Sequence, residues 1–165
     1  MKTIKILSLT FILAFCVSFA HAQNNINGIT KAYFTVKNAL AAGNANDASN
    51  GAKALLAALS APETGLKSDQ LKLYNSYADK LKFDSRHIAE SADVNHQREH
   101  FTSLSKNLVE VLKGLKMNTS TVYVDYCPMK QAYWLSENPG IKNPYYSDKS
   151  MATCGKTTAT LAAVK

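Results

Sequence analysis

The sequence predicts a mainly α fold: an up-and-down four-helix bundle followed by an irregular aromatic C-terminal segment containing one or two short strands. Three observations lead there. Between 27 and 117 apolar residues recur at helical spacing. Turn-forming residues divide that stretch into four pieces, each with a single apolar face that it cannot bury alone. Beyond 118 the helical spacing stops, and Pro128, Pro139 and Pro144 stand among closely spaced tyrosines.

In the first helix Ile29, Tyr33, Val36 and Leu40 share a face, and Gly43 with Asn44 forms a stop. The second carries Ala48, Ala52, Leu55, Leu56 and Leu59 and ends before Pro62 and Gly65. Ser68 is a candidate cap for the third, which carries Leu71, Tyr74, Ala78, Leu81 and Ile88. The fourth shows a regular seam of Phe101, Leu104, Leu108, Val111 and Leu115. The last two pieces are also compatible with one long rod. Ser91 and Asp93 are the natural caps between them, and a break near Ser91 to Val94 is expected. Thr121-Val122-Tyr123-Val124 is β-branched and aromatic and reads as a short strand. The ending from Lys156 is compatible with strand, helix or a frayed tail.

Ahead of this body lies an export signal. Lys2 and Lys5 precede an apolar run from Ile6 to Phe19, and Ala20-His21-Ala22 matches the pattern a signal peptidase reads. Residues 1–22 are therefore read as a signal peptide and 23–165 as one domain (27–117 helices, 118–165 the aromatic, sulfur-bearing segment), periplasmic or secreted. The apolar run is short for a membrane anchor, so no membrane insertion is expected after cleavage. Leu13-Ala14-Phe15-Cys16 approaches a lipoprotein box, but Phe15 occupies a position that wants a small residue.

Composition narrows the function. The 165 residues include 19 Lys plus Arg and 12 Asp plus Glu, a net +7 that falls to +5 once Lys2 and Lys5 leave with the signal. The charge is spread over lysines with no arginine cluster or nucleic-acid motif, so nucleic acid is not an expected partner. Hydrophobic residues at 46% can fill a core and exclude global disorder. Three Cys are too few for a disulfide-dense miniprotein. No nucleophile with an oxyanion donor and no paired carboxylates in a cleft-forming segment can be identified, so the chain is not read as an enzyme.

One constellation carries chemistry. Cys127-Pro128-Met129 places two sulfurs on one face of an extended backbone, and Met151-Ala152-Thr153-Cys154 brings two more within one turn. Thiolate with thioether suits a soft ion, above all Cu(I), with silver or zinc as alternatives. His96 and His100 are spaced i, i+4 on one helix face, and a chain reversal near 91–94 would set His87 across from them. The candidate metal ligands are thus Cys127, Met129, Met151, Cys154, His100, His96 and His87, converging in one pocket. Arg98 and Glu99 read as solvated helix charges.

A second reading stays open. An exported Cys pair can be a disulfide, in which case there is no metal. The chain is then a stapled, non-metal interaction module of the cell envelope. Trp134, Asn143, Pro144, Tyr145 and Tyr146 would be its contact or packing residues.

Tyr126-Cys127-Pro128-Met129, Tyr133-Trp134-Leu135-Ser136, Ile141-Lys142-Asn143-Pro144-Tyr145-Tyr146 and Met151 to Gly155 form a joint signature. His87 to Ser91 and His96 to Phe101 with Leu104-Ser105 accompany it. Together they resemble a bacterial domain family of unknown function. Its members stand alone behind a signal peptide or sit at the C-terminus of periplasmic adaptor subunits of copper/silver-type heavy-metal efflux pumps. The resemblance implies heavy-metal handling, with an efflux adaptor or another envelope protein as partner. Ser147 stands where many members have glycine, and Tyr126 where some have histidine.

Overall fold

The structure, a computed structural model, describes residues 25–164; the signal peptide assigned to 1–22 lies outside the described residues. Among the described residues four helices precede three strands: α1 (Ile26–Ala41), α2 (Ala45–Ser60), α3 (Ser68–Glu90), α4 (Val94–Leu115), β1 (Val122–Cys127), β2 (Ala132–Ser136) and β3 (Lys156–Leu161). Among the described residues no helix is long and apolar enough to cross a membrane.

Short connections make successive helices pack as neighbours, α1 on α2, α2 on α3 and α3 on α4. The faces read from the sequence point inward. Ile29, Tyr33, Val36 and Leu40 are buried, and so are Leu55, Leu81, Phe101, Leu104, Leu108 and Val111. Leu71 departs from its seam and is exposed. Lys67 precedes α3 as its cap, with Ser68 the first helical residue, and the Lys67 N–H donates to Gln70 Oε1 at 3.0 Å. The rod is broken at 91–93. Ser91 Oγ accepts from the Asp93 N–H at 3.1 Å, and Asp93 Oδ1 accepts from the Asn95 N–H at 2.8 Å to start α4.

The C-terminal segment is more regular than its composition suggested. It forms an antiparallel sheet of order β2-β1-β3, so the β-branched run marks only the central strand. Tyr123 pairs with Ser136 and Tyr126 with Tyr133. The ending from Lys156 resolves as strand β3, with a register shift against Val124/Asp125. That irregularity accompanies adjacent buried residues, Val124 and Asp125, on a strand that otherwise alternates.

The sheet lies on the bundle through β2 and α4. A buried polar pin fixes it there: Tyr33 Oη lies 2.7 Å from Ser105 Oγ and accepts from the Leu135 N–H at 3.1 Å, joining α1, α4 and β2. Lys37, itself buried, pairs with Glu137 at 2.8 Å, and Asn38 Nδ2 donates to the same carboxylate at 2.7 Å. Burial alone would raise the Glu137 carboxyl, but the bonds from Asn38 and Lys37 outweigh it and hold the group below its usual range.

Candidate functional site

The turn at 91–93 brings His87 near the end of α3 opposite the first turns of α4. Gln97, fully buried, holds this corner together. Its Nε2 donates to Ser91 O at 2.7 Å, Ala45 O at 3.0 Å and Ile88 O at 3.2 Å, tying the end of α3 and the start of α2 to α4. The carbonyls that a helix end leaves without partners are thereby satisfied by a side chain.

Beside this corner His87, His96 and His100 gather, with one ring nitrogen from each lying within 4.8 Å of the others. His87 stacks on His100 with centroids 4.4 Å apart, and His96 meets His100 edge-on at 4.8 Å. All three rings are half-buried. Phe83 covers one side, 4.4 Å from His87 and 5.8 Å from His100.

His100 is oriented from behind. Its Nδ1 lies 3.0 Å from Asp84 Oδ1, and Asp84 Oδ2 accepts from Ser103 Oγ at 2.6 Å. A carboxylate on Nδ1 makes that nitrogen the proton carrier and leaves the Nε2 lone pair free. His96 Nδ1 lies 3.7 Å from Glu99 Oε2, a looser and more exposed pairing. Asp84 and Ser103 escaped the sequence reading. The signal was there: Asp84 and Ser85 interrupt the Leu81 to Ile88 seam, and Ser103 follows His100 by three residues. An acid on an apolar helix face needs a partner across it.

The sulfurs form a different group. Cys127 Sγ and Cys154 Sγ lie 3.5 Å apart as free thiols. Burial raises the Cys127 thiol. The Lys130 N–H, the Cys154 thiol, the Asn143 amide and the Met129 N–H more than offset this and leave it below the ordinary thiol value. Cys154 is raised, first because its proton is held by Cys127 and then by burial.

Asn143 organises the loop that delivers Cys154. Its N–H donates to Ala152 O at 2.8 Å, its Nδ2 to Cys154 O at 2.7 Å, and its Oδ1 accepts from the Tyr145 N–H at 2.9 Å. Gly155, at φ +147°, lies flat against Trp134. A Cβ there would meet the indole Cη2 at 2.6 Å.

Several expectations need correction. The seven candidate ligands do not form one pocket. Among the described residues the histidines are the group of three or more His, Cys, Asp or Glu side chains whose donor atoms come together, and neither thiol belongs to it. Cys127 and Met129 do not share a face, because β1 ends at Cys127 and the chain turns. Cys127 is buried while Met129 is 70% exposed. Met151 does sit one turn from Cys154, its carbonyl accepting from the Cys154 N–H at 3.0 Å. Arg98 is not a solvated charge. It is 7% exposed, with Nη2 donating to Leu40 O at 2.8 Å and Nε to Pro144 O at 3.0 Å. Trp134, Asn143, Pro144 and Tyr145 are buried, which makes them packing residues and leaves only Tyr146 partly open. No positive φ is found at Ser147, so this turn has no need of glycine there.

A family described as protein of unknown function (DUF3347) matches residues 29–120, more than half of the chain, and the chain belongs to it. The matched stretch spans nearly all of the helical body and includes the three histidines, while both thiols lie beyond it. No curated protein and no solved structure matches the chain.

Proposed function

We propose that this member of the DUF3347 family is an exported metal-binding protein that holds copper between His87, His96 and His100, for buffering, delivery or efflux. The observation that carries this reading is the convergence of three imidazole rings, a nitrogen of each within 4.8 Å of the others, with one ring oriented by a carboxylate on its Nδ1. A tetrahedral site with metal–nitrogen bonds of about 2.0–2.1 Å spaces its nitrogens by roughly 3.3 Å. Modest ring rotations close that gap. Asp84 and Ser103 supply the outer hydrogen bonds that fix the orientation of a ligating histidine.

An all-imidazole donor set changes the expected ion. Without sulfur in the pocket the site favours a borderline divalent cation over Cu(I). Copper(II) stands above zinc in the general order of affinities for such donors. The resemblance to domains carried by heavy-metal efflux adaptors supports the same class of cargo and suggests an adaptor or another envelope protein as recipient. The Lys2, Lys5 and Ala20-His21-Ala22 leader supports action outside the cytoplasm.

The test is titration of the Cys127→Ser/Cys154→Ser protein with Cu(II) and Zn(II), read by calorimetry and by nitrogen hyperfine structure in the Cu(II) electron paramagnetic resonance spectrum. One equivalent bound through imidazole nitrogens is expected. His100→Ala abolishes it, and Asp84→Asn weakens it by roughly 10–100-fold while the helices persist. Unchanged stoichiometry and affinity in a His87→Ala/His96→Ala/His100→Ala protein would refute the reading.

A further inference from the structure

We propose that Cys127 and Cys154 form a second, separate site that takes one monovalent soft cation, Cu(I) or Ag(I), between their sulfurs. Geometry is the first argument. At 3.5 Å the sulfurs are well outside the bonding distance of about 2.05 Å, yet close enough that one ion can touch both. With metal–sulfur bonds of about 2.3 Å the two sulfurs of a linear clamp stand up to ~4.6 Å apart. An opening of about 1 Å is required, and Cys154, which is partly exposed and carried by a loop, is the side that can move.

Donor count selects the ion. Among the described residues no histidine or carboxylate gathers with the pair to make a group of three. Zinc, which asks for four donors in a structural site, is left unsatisfied by two sulfurs. A monovalent d10 ion is content with two soft ligands. Met129, exposed on the turn after β1, does not complete the set.

The surroundings match the charge that results. Two thiolates and one monovalent cation leave a net negative unit. The backbone at Met129 and Lys130 and the Asn143 amide favour the charged form of Cys127. Partial exposure of Cys154 leaves the pair an entry side. The site does not depend on the histidine triad, since the two groups are assembled from different elements.

The experiment uses reduced, thiol-counted protein under anaerobic conditions. It is titrated with Cu(I) against a chromophoric Cu(I) chelator and, separately, with Ag(I). X-ray absorption at the copper edge gives the ligand atoms. One equivalent with two sulfur scatterers is expected, unchanged in the His87→Ala/His96→Ala/His100→Ala protein and lost in Cys127→Ser/Cys154→Ser. Cys154→Ser alone, at a partly exposed position, is expected to weaken binding at least 100-fold while circular dichroism stays the same. Absence of Cu(I) binding in the wild type, retention in the double cysteine variant, or nitrogen scatterers that vanish with the histidines would each overturn the proposal. Such failure would leave the Cu(II) result on the double cysteine variant standing, so the two readings fall separately.

Discussion

His87 and His100 meet across a turn of residues 91–93 between two helices that pack along their length. Cys127 and Cys154 meet only after the chain has left β1, run through β2 and crossed the connection 137–155. The first group is built from local contacts and the second from non-local ones, which are slower to form and dearer in loop-closure entropy. The consequences show in the neighbours. The imidazoles stand half-open on two helices, held by Gln97 and Asp84. The thiols lie against the sheet, and a loop clamp centred on Asn143 and a tight Gly155–Trp134 contact are needed to bring them together. The histidines are all partly open, whereas the thiol pair joins one buried sulfur, Cys127, to one partly exposed, Cys154.

The comparison can be broken hardest at Trp134. Truncation to Ala removes the largest fully buried side chain and is expected to cost about 3–5 kcal/mol in denaturant unfolding. If the regions are separable, the helical dichroism survives at moderate denaturant while Cys127 becomes reactive towards thiol reagents. Gly155→Ala is the milder version. The φ of +147° and the 2.6 Å approach to the indole predict a loss of about 1–3 kcal/mol. Thiol alkylation should accelerate with no change in metal binding at the histidines.

Gln97→Ala sharpens the other side. It strips partners from the carbonyls of Ala45, Ile88 and Ser91, for an expected cost of about 1–3 kcal/mol. Metal affinity at the triad should fall while thiol reactivity stays constant. The smallest effect concerns the pin between α1 and the end of β2. The folded Glu137 carboxyl lies below its unfolded value of 4.5, so its stabilisation is full above that value and is lost as pH falls through the folded one. Because the group is only partly buried, screening keeps the contribution below about 1 kcal/mol. Glu137→Gln should therefore lower stability at neutral pH by up to that amount. The difference from wild type vanishes in acid once the wild-type carboxyl is protonated, which flattens the acid limb of the stability–pH curve.

The helices were legible because each buries a regular apolar face; Tyr33, Leu55, Leu81 and Phe101 point where their spacing requires. The histidine cluster was legible for a related reason. Helix phase fixes His96 against His100, and a short turn leaves His87 only one place to be. The meeting of the two thiols was not, because no periodicity encodes the path of 137–155 or the end of β1 at Cys127. The expected single pocket failed at this point: sequence proximity to Met129 suggested a shared face that the turn removes. Asp84 and Arg98 were missed because a charged residue reads as solvated until its partner is known, and here the partners lie across helix and loop contacts. The strand β3 was open to reading only as one of several options, since Lys156 to Leu161 is largely exposed and has weak alternation.

Arg98 carries a last implication. Its guanidinium holds Leu40 O at the end of α1 and Pro144 O in the connection 137–155 at once. The Asn143–Tyr145 stretch, which also holds Cys154 O through Asn143, is thereby tied directly to the first and fourth helices. One planar cation thus couples the end of a helix to the loop that carries a thiol, and its truncation would take the guanidinium donor from both carbonyls.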